Sequence, residues 1–294
     1  MTDVLLATCA DLPQGEPGAE HLDRALAARG IAGRWASWDD PAVDWAAAGL
    51  VAVRATWDYV GRPEAFLDWA RGVERGGRLL NGAGVFAWNL DKAYLCDLPE
   101  VPVVPTVTAD SRAELAEAVR RWGTAVVKPR VGAGGVGVLV VDDPADPRLG
   151  TVVRSHPDLP PAGGPWVVQP LVDAVRTEGE TSVFVLDGVA VSQADKLPAG
   201  GEIRVHEHYG GSTRGVPLRD EAATLATGAV AAARALVPGD LDYARVDMMR
   251  LADGTLAVSE LELIEPGLYL DVVPGNADPF ADLVARALGV PVGG

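Results

Sequence analysis

Between residues 243 and 266 the chain reads YARVDMMRLADGTLAVSELELIEP, which places four charged side chains where they can act together. Asp253-Gly254 is a strong hairpin-turn signal between two alternating runs. A hairpin centred there sets Leu251 opposite Leu256, Asp247 opposite Glu260 and Arg245 opposite Glu262. Successive side chains leave a strand on opposite sides, so Arg245, Asp247, Glu260 and Glu262 share one face, and Val246, Met248, Leu261 and Leu263 share the other. Three carboxylates on one sheet face repel one another and must be neutralised. Hard oxygen ligands suit Mg²⁺, which takes one or two carboxylates and completes its octahedron with water and phosphate oxygens. One arginine and one or two Mg²⁺ ions together describe a nucleoside-triphosphate site, with Asp247, Glu260 and Glu262 as the metal ligands. The competing interpretation is a solvated strand face crossed by salt bridges, and an acidic pair opposite a third acid is a poor way to build one.

The elements that must hold this hairpin belong to a chain of 294 residues, the length of two to three domains. Its hydrophobic content of 48% supports large cores. No run of eighteen apolar residues occurs, so no membrane span is expected. MTDVLLATCADLP lacks the basic start of a signal peptide and reads as a first buried strand. Cys9 and Cys96 make no disulfide framework, and a reducing cytoplasm is the simplest setting. A net charge of −16 argues against a nucleic-acid partner, though not against ATP, which needs only a local group of cations. Of 25 basic residues only Lys92, Lys128 and Lys196 are lysines, so a retained lysine points to a need for a compact ammonium.

Residues 4–8 and 50–54 read as buried strands, with helices at 19–29, ending at Gly30, and at 64–74, closed by Gly76-Gly77. This alternation predicts a small α/β domain over residues 1–91. A short helical segment at 89–98 follows, then a helix at 111–122 with the capping box Ser111/Glu114, and a strand at 125–128. Gly132, Gly134 and Gly137 match GxGxxG, but a strand, Val138–Val141 in sequence, follows rather than the helix of a dinucleotide fold. The glycines therefore join two strands of a hairpin. They form either a long surface turn or a mobile flap whose amides close over phosphates. Residues 142–165 read as loop. Strands are expected at 166–169, 183–186 and 189–192, the last two joined by Asp187-Gly188, with helices at 220–236 and 280–288.

The order of these parts resembles the ATP-grasp superfamily of carboxylate–amine ligases. VVKP at 126–129 is similar to the strand bearing the ATP-phosphate lysine, and WVVQPLV at 166–172 to the hinge whose backbone holds adenine. GETSV at 179–183 places Glu180 at the ribose-binding acid. GGEIRVHEHYGG at 200–211 resembles the substrate strand and loop of bacterial glutathione synthetases, and ARVD and SELE resemble the catalytic arginine and the metal acids. The family commonly ends its metal set with Asn, where this chain has Glu262. RATWDY at 54–59, WNLDKAYLCDL at 88–98, VPT at 104–106 and ELELIEP at 260–266 resemble more closely the cyclo-ligases of cycloserine biosynthesis, over nearly the whole chain.

The resemblance implies an N-terminal Rossmann-like domain (residues 1–91) and two α+β subdomains clasping ATP, a central one with the glycine flap (92–168) and a C-terminal one with the metal acids (169–294). It implies that Lys92, Lys128, Gly134 and Gly135 hold phosphates, that Gln169, Pro170, Leu171 and Glu180 hold the nucleoside, and that one or two Mg²⁺ ions sit on Asp247, Glu260 and Glu262. Arg245 would stabilise the transferring phosphoryl group, and Arg204 would pair with a carboxylate or acyl phosphate. The implied reaction turns a carboxylate into an acyl phosphate that a nitrogen nucleophile then attacks. Glu265 stands where dipeptide-forming relatives carry Ser. A carboxylate there repels a second amino acid's carboxylate and favours an ammonium or ureido group, or it merely caps a backbone N–H. The expected substrate is then a single O-ureido-serine-like amino acid, closed to cycloserine. An intermolecular ligase of glutathione-synthetase type and a non-catalytic nucleotide-binding module remain alternatives. Lys196 and His206 read equally well as ordinary residues, and His21, His156 and His208 have no metal-ligand spacing. Asp58 or Tyr59, after a buried strand, is a candidate substrate contact. A homo-oligomer stays open.

Overall fold

An unbroken apolar run is stable as a strand only if both of its faces are covered. That holds for β1 (Val4–Thr8) and β3 (Leu50–Ala55), buried throughout in the computed structural model, which describes residues 3–151 and 163–292. With β2 (Gly33–Ser37) and β4 (Arg78–Leu79), which the sequence pattern did not reveal, they form a parallel sheet of order β2-β1-β3-β4. Leu22 and Leu26 of α1 (Ala19–Ala28) pack on Val4 and Leu6 on one face. On the other, Phe66 and Ala70 of α2 (Pro63–Gly76) and Phe86 of α3 (Gly82–Asn89) pack on Leu5, Ala7 and Val53. Gly30, at φ 72°, lies just past the end of α1, as expected of a glycine terminator.

The second sheet contains β5 (Val107–Ala109), β6 (Ala125–Pro129), β7 (Leu139–Val141) and β8 (Trp166–Pro170), in the order β5-β8-β6-β7. Helix α4 (Arg112–Trp122) lies on it through Leu115 and Val119 and starts with the predicted capping box. Strands β6 and β7 are antiparallel, so the glycine-rich segment is a hairpin loop. Residues 152–162 of the expected loop, His156 among them, lie outside the described residues.

The third sheet is antiparallel and carries the acidic hairpin. It comprises β9 (Glu180–Leu186), β10 (Val189–Leu197), β11 (Ser212–Val216), β12 (Tyr243–Arg250) and β13 (Leu256–Glu262), ordered β11-β10-β9-β12-β13. Val183, Val185, Val246 and Met248 face α5 (Asp220–Arg234), whose Ala222, Ala226, Ala229 and Ala233 allow close approach. The opposite face changes character along its length. At one end Phe184, Leu186 and Tyr243 pack with Phe280 of α6 (Ala277–Leu288). At the other end the same face presents Glu180, Ser182, Arg245 and Asp247, all buried. Helix α6 also packs against α1, so the last helix closes the first sheet.

Two sequence expectations need correction here. Arg245 pairs with Glu262 and Asp247 with Glu260 as predicted, but a bulge follows, and Leu256 faces Arg250 rather than Leu251. Ser259 is the extra residue. The bulge turns both Ser259 and Glu260 toward the polar face, which strict alternation forbids. Second, no strand occupies 200–211. That stretch holds only a 3₁₀ turn (Glu207–Tyr209), and the strand starts at Ser212. The chain folds back so tightly that a Cβ on Gly211 would lie 2.0 Å from the Val205 carbonyl oxygen.

Candidate active site

The acidic face of β12 and β13 is neutralised by the protein's own cations. Asp247 takes two parallel hydrogen bonds from Arg245, Nε to Oδ1 and Nη2 to Oδ2, each 2.9 Å. The Ser182 hydroxyl donates to Asp247 at 2.5 Å, and Lys196 Nζ lies 3.2 Å from Oδ2. Lys196 also pairs with Glu180, the residue opposite it on β9. The second Glu180 oxygen accepts from Ser259 Oγ at 3.2 Å. Arg245 reaches across the hairpin to Glu262 as well. Lys92 Nζ lies 3.0 Å from Glu260 Oε1 and donates to the Gly132 carbonyl at the base of the glycine loop. Asp247, Glu260 and Glu262 thus share a face without converging on one point, and no ligand set of three or more acidic, histidine or cysteine side chains is gathered among the described residues.

These arrangements depend on the strand that carries the two glutamates. Strand β13 is the sheet's edge, and its outer backbone groups are held by the backbone of Pro102 and Val104 at Val258 and by side chains beyond it. Asn89 exchanges two hydrogen bonds, each 2.9 Å, with Leu261 O and Leu263 N. The Tyr94 hydroxyl donates to Leu261 O at 2.8 Å and accepts from its N–H at 2.7 Å. An edge so covered cannot pair with another chain or slip its register. Asn89 and Tyr94 lie in the WNLDKAYLCDL segment, where Lys92 sits between them.

A second group surrounds the glycine loop. Arg204 stacks on Tyr209 and is held by Glu202 at 2.5 Å. A Cβ on Gly135, at φ 71°, would stand 3.2 Å from both Arg204 and Tyr209. Gly134 also has positive φ, 58°, with open space around it. On β8, Gln169 is buried with its amide donating to Thr106 Oγ1 at 3.0 Å, and Pro170 ends the strand. The Leu171 N–H is given to Thr124 O. A third group lies where the first sheet meets the outlet of β13. Burial pushes the Glu265 carboxyl up to about 8, with Glu262 adding to the rise and Tyr59, Lys92 and Arg245 opposing it. Tyr59 is buried against Phe66 and close enough to Glu265 to oppose its rise, whereas Asp58 is turned away, onto Trp38 and Arg62.

Residues 4–81 match the family described as D-cycloserine synthetase DcsG, N-terminal domain, and residues 91–236 match the ATP-grasp domain of prokaryotic glutathione synthetase. The cycloserine biosynthesis protein DcsG of Streptomyces lavendulae is 32% identical over 272 residues, covering 88% of this chain and 90% of that protein. The chain belongs to the DcsG family of ATP-grasp ligases. A crystal structure of D-cycloserine synthetase DcsG superimposes with a TM-score of 0.79 at 27% identity, covering 97% of this chain and 99% of the other. The ATP-grasp ligase PsnB, solved with a precursor variant, Mg and ADP, shares the fold at a TM-score of 0.63 and 15% identity, over 98% and 99% of the two chains.

Within this ligase the three lysines divide sharply. Burial alone would push Lys92 down, but Glu260, with Glu262 and Glu265 behind it, holds its ammonium above the ordinary value. Lys196 is buried too, and Asp247 and Glu180 more than compensate. Lys128 is half-buried and has no ion pair among the described residues, and loss of solvent holds it below the ordinary lysine range despite the nearby acids. The carboxylates divide as well. Burial would raise Asp247, yet Arg245 and Lys196 pull it below the usual range. In Glu262 burial, with the charges of Asp247 and Glu260, outweighs Arg245, and the group is raised.

Four contributors were not singled out by sequence reasoning: Ser182, Ser259, Tyr269 and, as more than an ordinary residue, Lys196. The rarity of lysine was the one signal for Lys196. Tyr269 has φ 53°, an uncommon conformation for an aromatic residue, and its ring centre lies 5.1 Å from the Arg245 guanidinium. His206 is exposed, and its Nδ1 accepts the His208 N–H at 3.1 Å.

Proposed function

We propose that this ligase converts its substrate's carboxylate to an acyl phosphate with ATP and closes a ring on it with a nitrogen of the same molecule. The observation that carries the ATP half is Lys128, a half-buried ammonium with no ion pair among the described residues, on the strand before the glycine hairpin. Lys92 and Lys128 would face the phosphates, and Gly134 and Gly135 would close over them. Arg245 would stabilise the transferring phosphoryl group, a role worth roughly 10³-fold or more in rate. Glu260 and Glu262 suit Mg²⁺: each is a hard oxygen donor, partly open to solvent and held by one cation. Asp247 joins them only by releasing some of the four hydrogen bonds it takes from Ser182, Lys196 and Arg245. Bound Mg²⁺ would neutralise phosphate charge. At the hinge, Pro170 and Leu171 would border adenine, and the Val172 N–H, which donates to no carbonyl among the described residues, would be the free donor.

For the second half, the reading is an O-ureido-serine-like amino acid. Its ureido nitrogen attacks the acyl phosphate and expels phosphate, and hydrolysis of the carbamoyl group yields cycloserine, carbon dioxide and ammonia. Glu265 supports this in altered form. With its carboxyl raised to about 8, it is mostly a neutral acid at pH 7, offering a donor and an acceptor to a ureido group rather than a bare charge. The relationship to DcsG over nearly the whole chain supports the same substrate class. Arg204, freed from Glu202, would pair with the substrate carboxylate. Tethering the nucleophile removes the entropy of recruiting a second molecule. The match of residues 91–236 to glutathione synthetase favours a second reading, an intermolecular amide ligase. The deciding experiment supplies O-ureido-serine alone with Mg-ATP and follows ADP and product mass. Ring product without added amine supports cyclisation, and turnover only with a separate amine moves the reading to the intermolecular ligase.

A further inference from the structure

The segment 264–269 links β13 to the last helix and has no regular secondary structure, yet side chains hold five of its backbone atoms. The Tyr243 hydroxyl donates to Ile264 O at 2.8 Å, and Trp57 Nε1 to Glu265 O at 3.3 Å. Arg54 donates to Pro266 O, Glu16 accepts the Leu268 N–H at 2.6 Å, and Asn276 donates to Leu268 O at 2.8 Å. Three of these five side chains, Glu16, Arg54 and Trp57, come from the first sheet and its loops.

The Arg54–Glu16 pair is costly to build. Arg54 is wholly buried and Glu16 is 4% exposed, with Nη2 to Oε1 at 3.2 Å. The guanidinium carbon lies 4.6 Å from the Phe280 ring centre, and Arg54 Nε has no hydrogen-bond partner among the described residues. An ion pair in such surroundings adds little or nothing to stability over apolar residues of similar size. What it does is fix the carbonyl before Gly267 and the amide after it. That fixes the two side chains flanking the turn: Glu265, near Tyr59, and Tyr269, beside Arg245.

We propose that Glu16, Arg54 and Trp57 form a backbone clamp that positions Glu265 and Tyr269 for the reaction, making them positioning residues of the ligase although none is part of the ATP-grasp sheets. The clamp rests on the ligase reading for its effect on rate, and on geometry alone for its effect on the segment. If the clamp loosens, Glu265 and Tyr269 shift while the phosphate lysines and the hinge stay in place. Displacements of about 1 Å in positioning groups lower turnover by about 10²-fold.

The test compares wild type with Trp57→Phe, Glu16→Gln and the apolar pair Glu16→Leu/Arg54→Met, in the full chain. Trp57→Phe alters a half-exposed residue and keeps the fold safe. Hydrogen exchange of peptides covering 263–272 reads the clamp directly. ADP release with Mg-ATP and O-ureido-serine, split into kcat and KM for each substrate, reads its consequence. The expected result is faster exchange confined to that segment, kcat lowered about tenfold in Trp57→Phe and about 10²-fold in the double variant, and an unchanged KM for ATP. Unchanged exchange in all three variants overturns the clamp. Faster exchange with unchanged kcat overturns its role in the reaction. If wild type itself turns over no substrate, the ligase reading fails, and exchange still decides the clamp.

Discussion

The Tyr209 hydroxyl lies 3.4 Å from the Gly135 carbonyl oxygen, so the tip of the glycine hairpin rests on the loop that carries Arg204. Its base is tied by Lys92 to the Gly132 carbonyl. A nucleotide that draws Lys92 and the loop amides therefore acts on the hairpin at both ends. Peptides covering 130–140 are expected to exchange more slowly with Mg-ATP than without it. Equal exchange at saturating nucleotide would remove the flap assignment. Gly135→Ala, with φ 71° and 3.2 Å contacts on two sides, is expected to raise the KM for ATP about tenfold, the equivalent of about 1.4 kcal/mol.

One substitution made at two lysines should have opposite effects. Lys196→Met leaves Glu180 and Asp247 buried without their shared cation, and a loss of about 3–5 kcal/mol in unfolding free energy is expected. Lys128→Met removes a cation that has no protein partner among the described residues, so stability is expected to hold or rise while ATP binding weakens at least tenfold. Urea denaturation of both variants without nucleotide is the measurement. Equal destabilisation would contradict the division of the lysines.

Glu265 gives a pH signature. Its folded value, about 8, lies above the ordinary 4.5, so the folded state favours the protonated form. The stability it contributes is complete below about pH 4.5 and is lost as pH rises towards 8. Glu265→Gln should flatten the fall of melting temperature between pH 5 and 8. Because Glu262 and Glu180 are raised as well, the slope shrinks without vanishing. An identical slope in the variant would place the proton elsewhere.

Removing an acid tests the metal reading. Glu260→Gln should abolish ADP release while circular dichroism stays native. It should also cancel the extra thermal stabilisation that Mg²⁺ gives in the presence of ATP. A variant that releases ADP at the normal rate would take Glu260 out of the metal set.

What was legible in the chain was local. Asp253-Gly254 and strict alternation sufficed to pair Asp247 with Glu260 and Arg245 with Glu262, and Ser111 with Glu114 marked the start of α4. The bulge at Ser259 was not legible, because the partner its hydroxyl meets is Glu180, on a strand 79 residues earlier. Lys196 was under-read for the same reason. Its partners come from β9 and β12, and no local pattern states which strands become neighbours. Sequence also showed that the acids needed neutralising without showing that Lys92, Lys196 and Arg245 already do so. The Arg54–Glu16 pair, 38 residues apart and buried, offered no motif.

The return of α6 to the first sheet sets an order of events during synthesis. Leu22, Leu26 and Ala52 stay uncovered until Phe280, Leu283 and Val284 have left the ribosome, although β1 was made nearly 280 residues before. We expect the nascent first sheet to remain loosely packed and chaperone-dependent through most of translation. A chain cut before residue 277 should bind a hydrophobic dye strongly at concentrations where the full chain does not, and a truncated chain that stays soluble and dye-silent would show that the first sheet closes without its last helix.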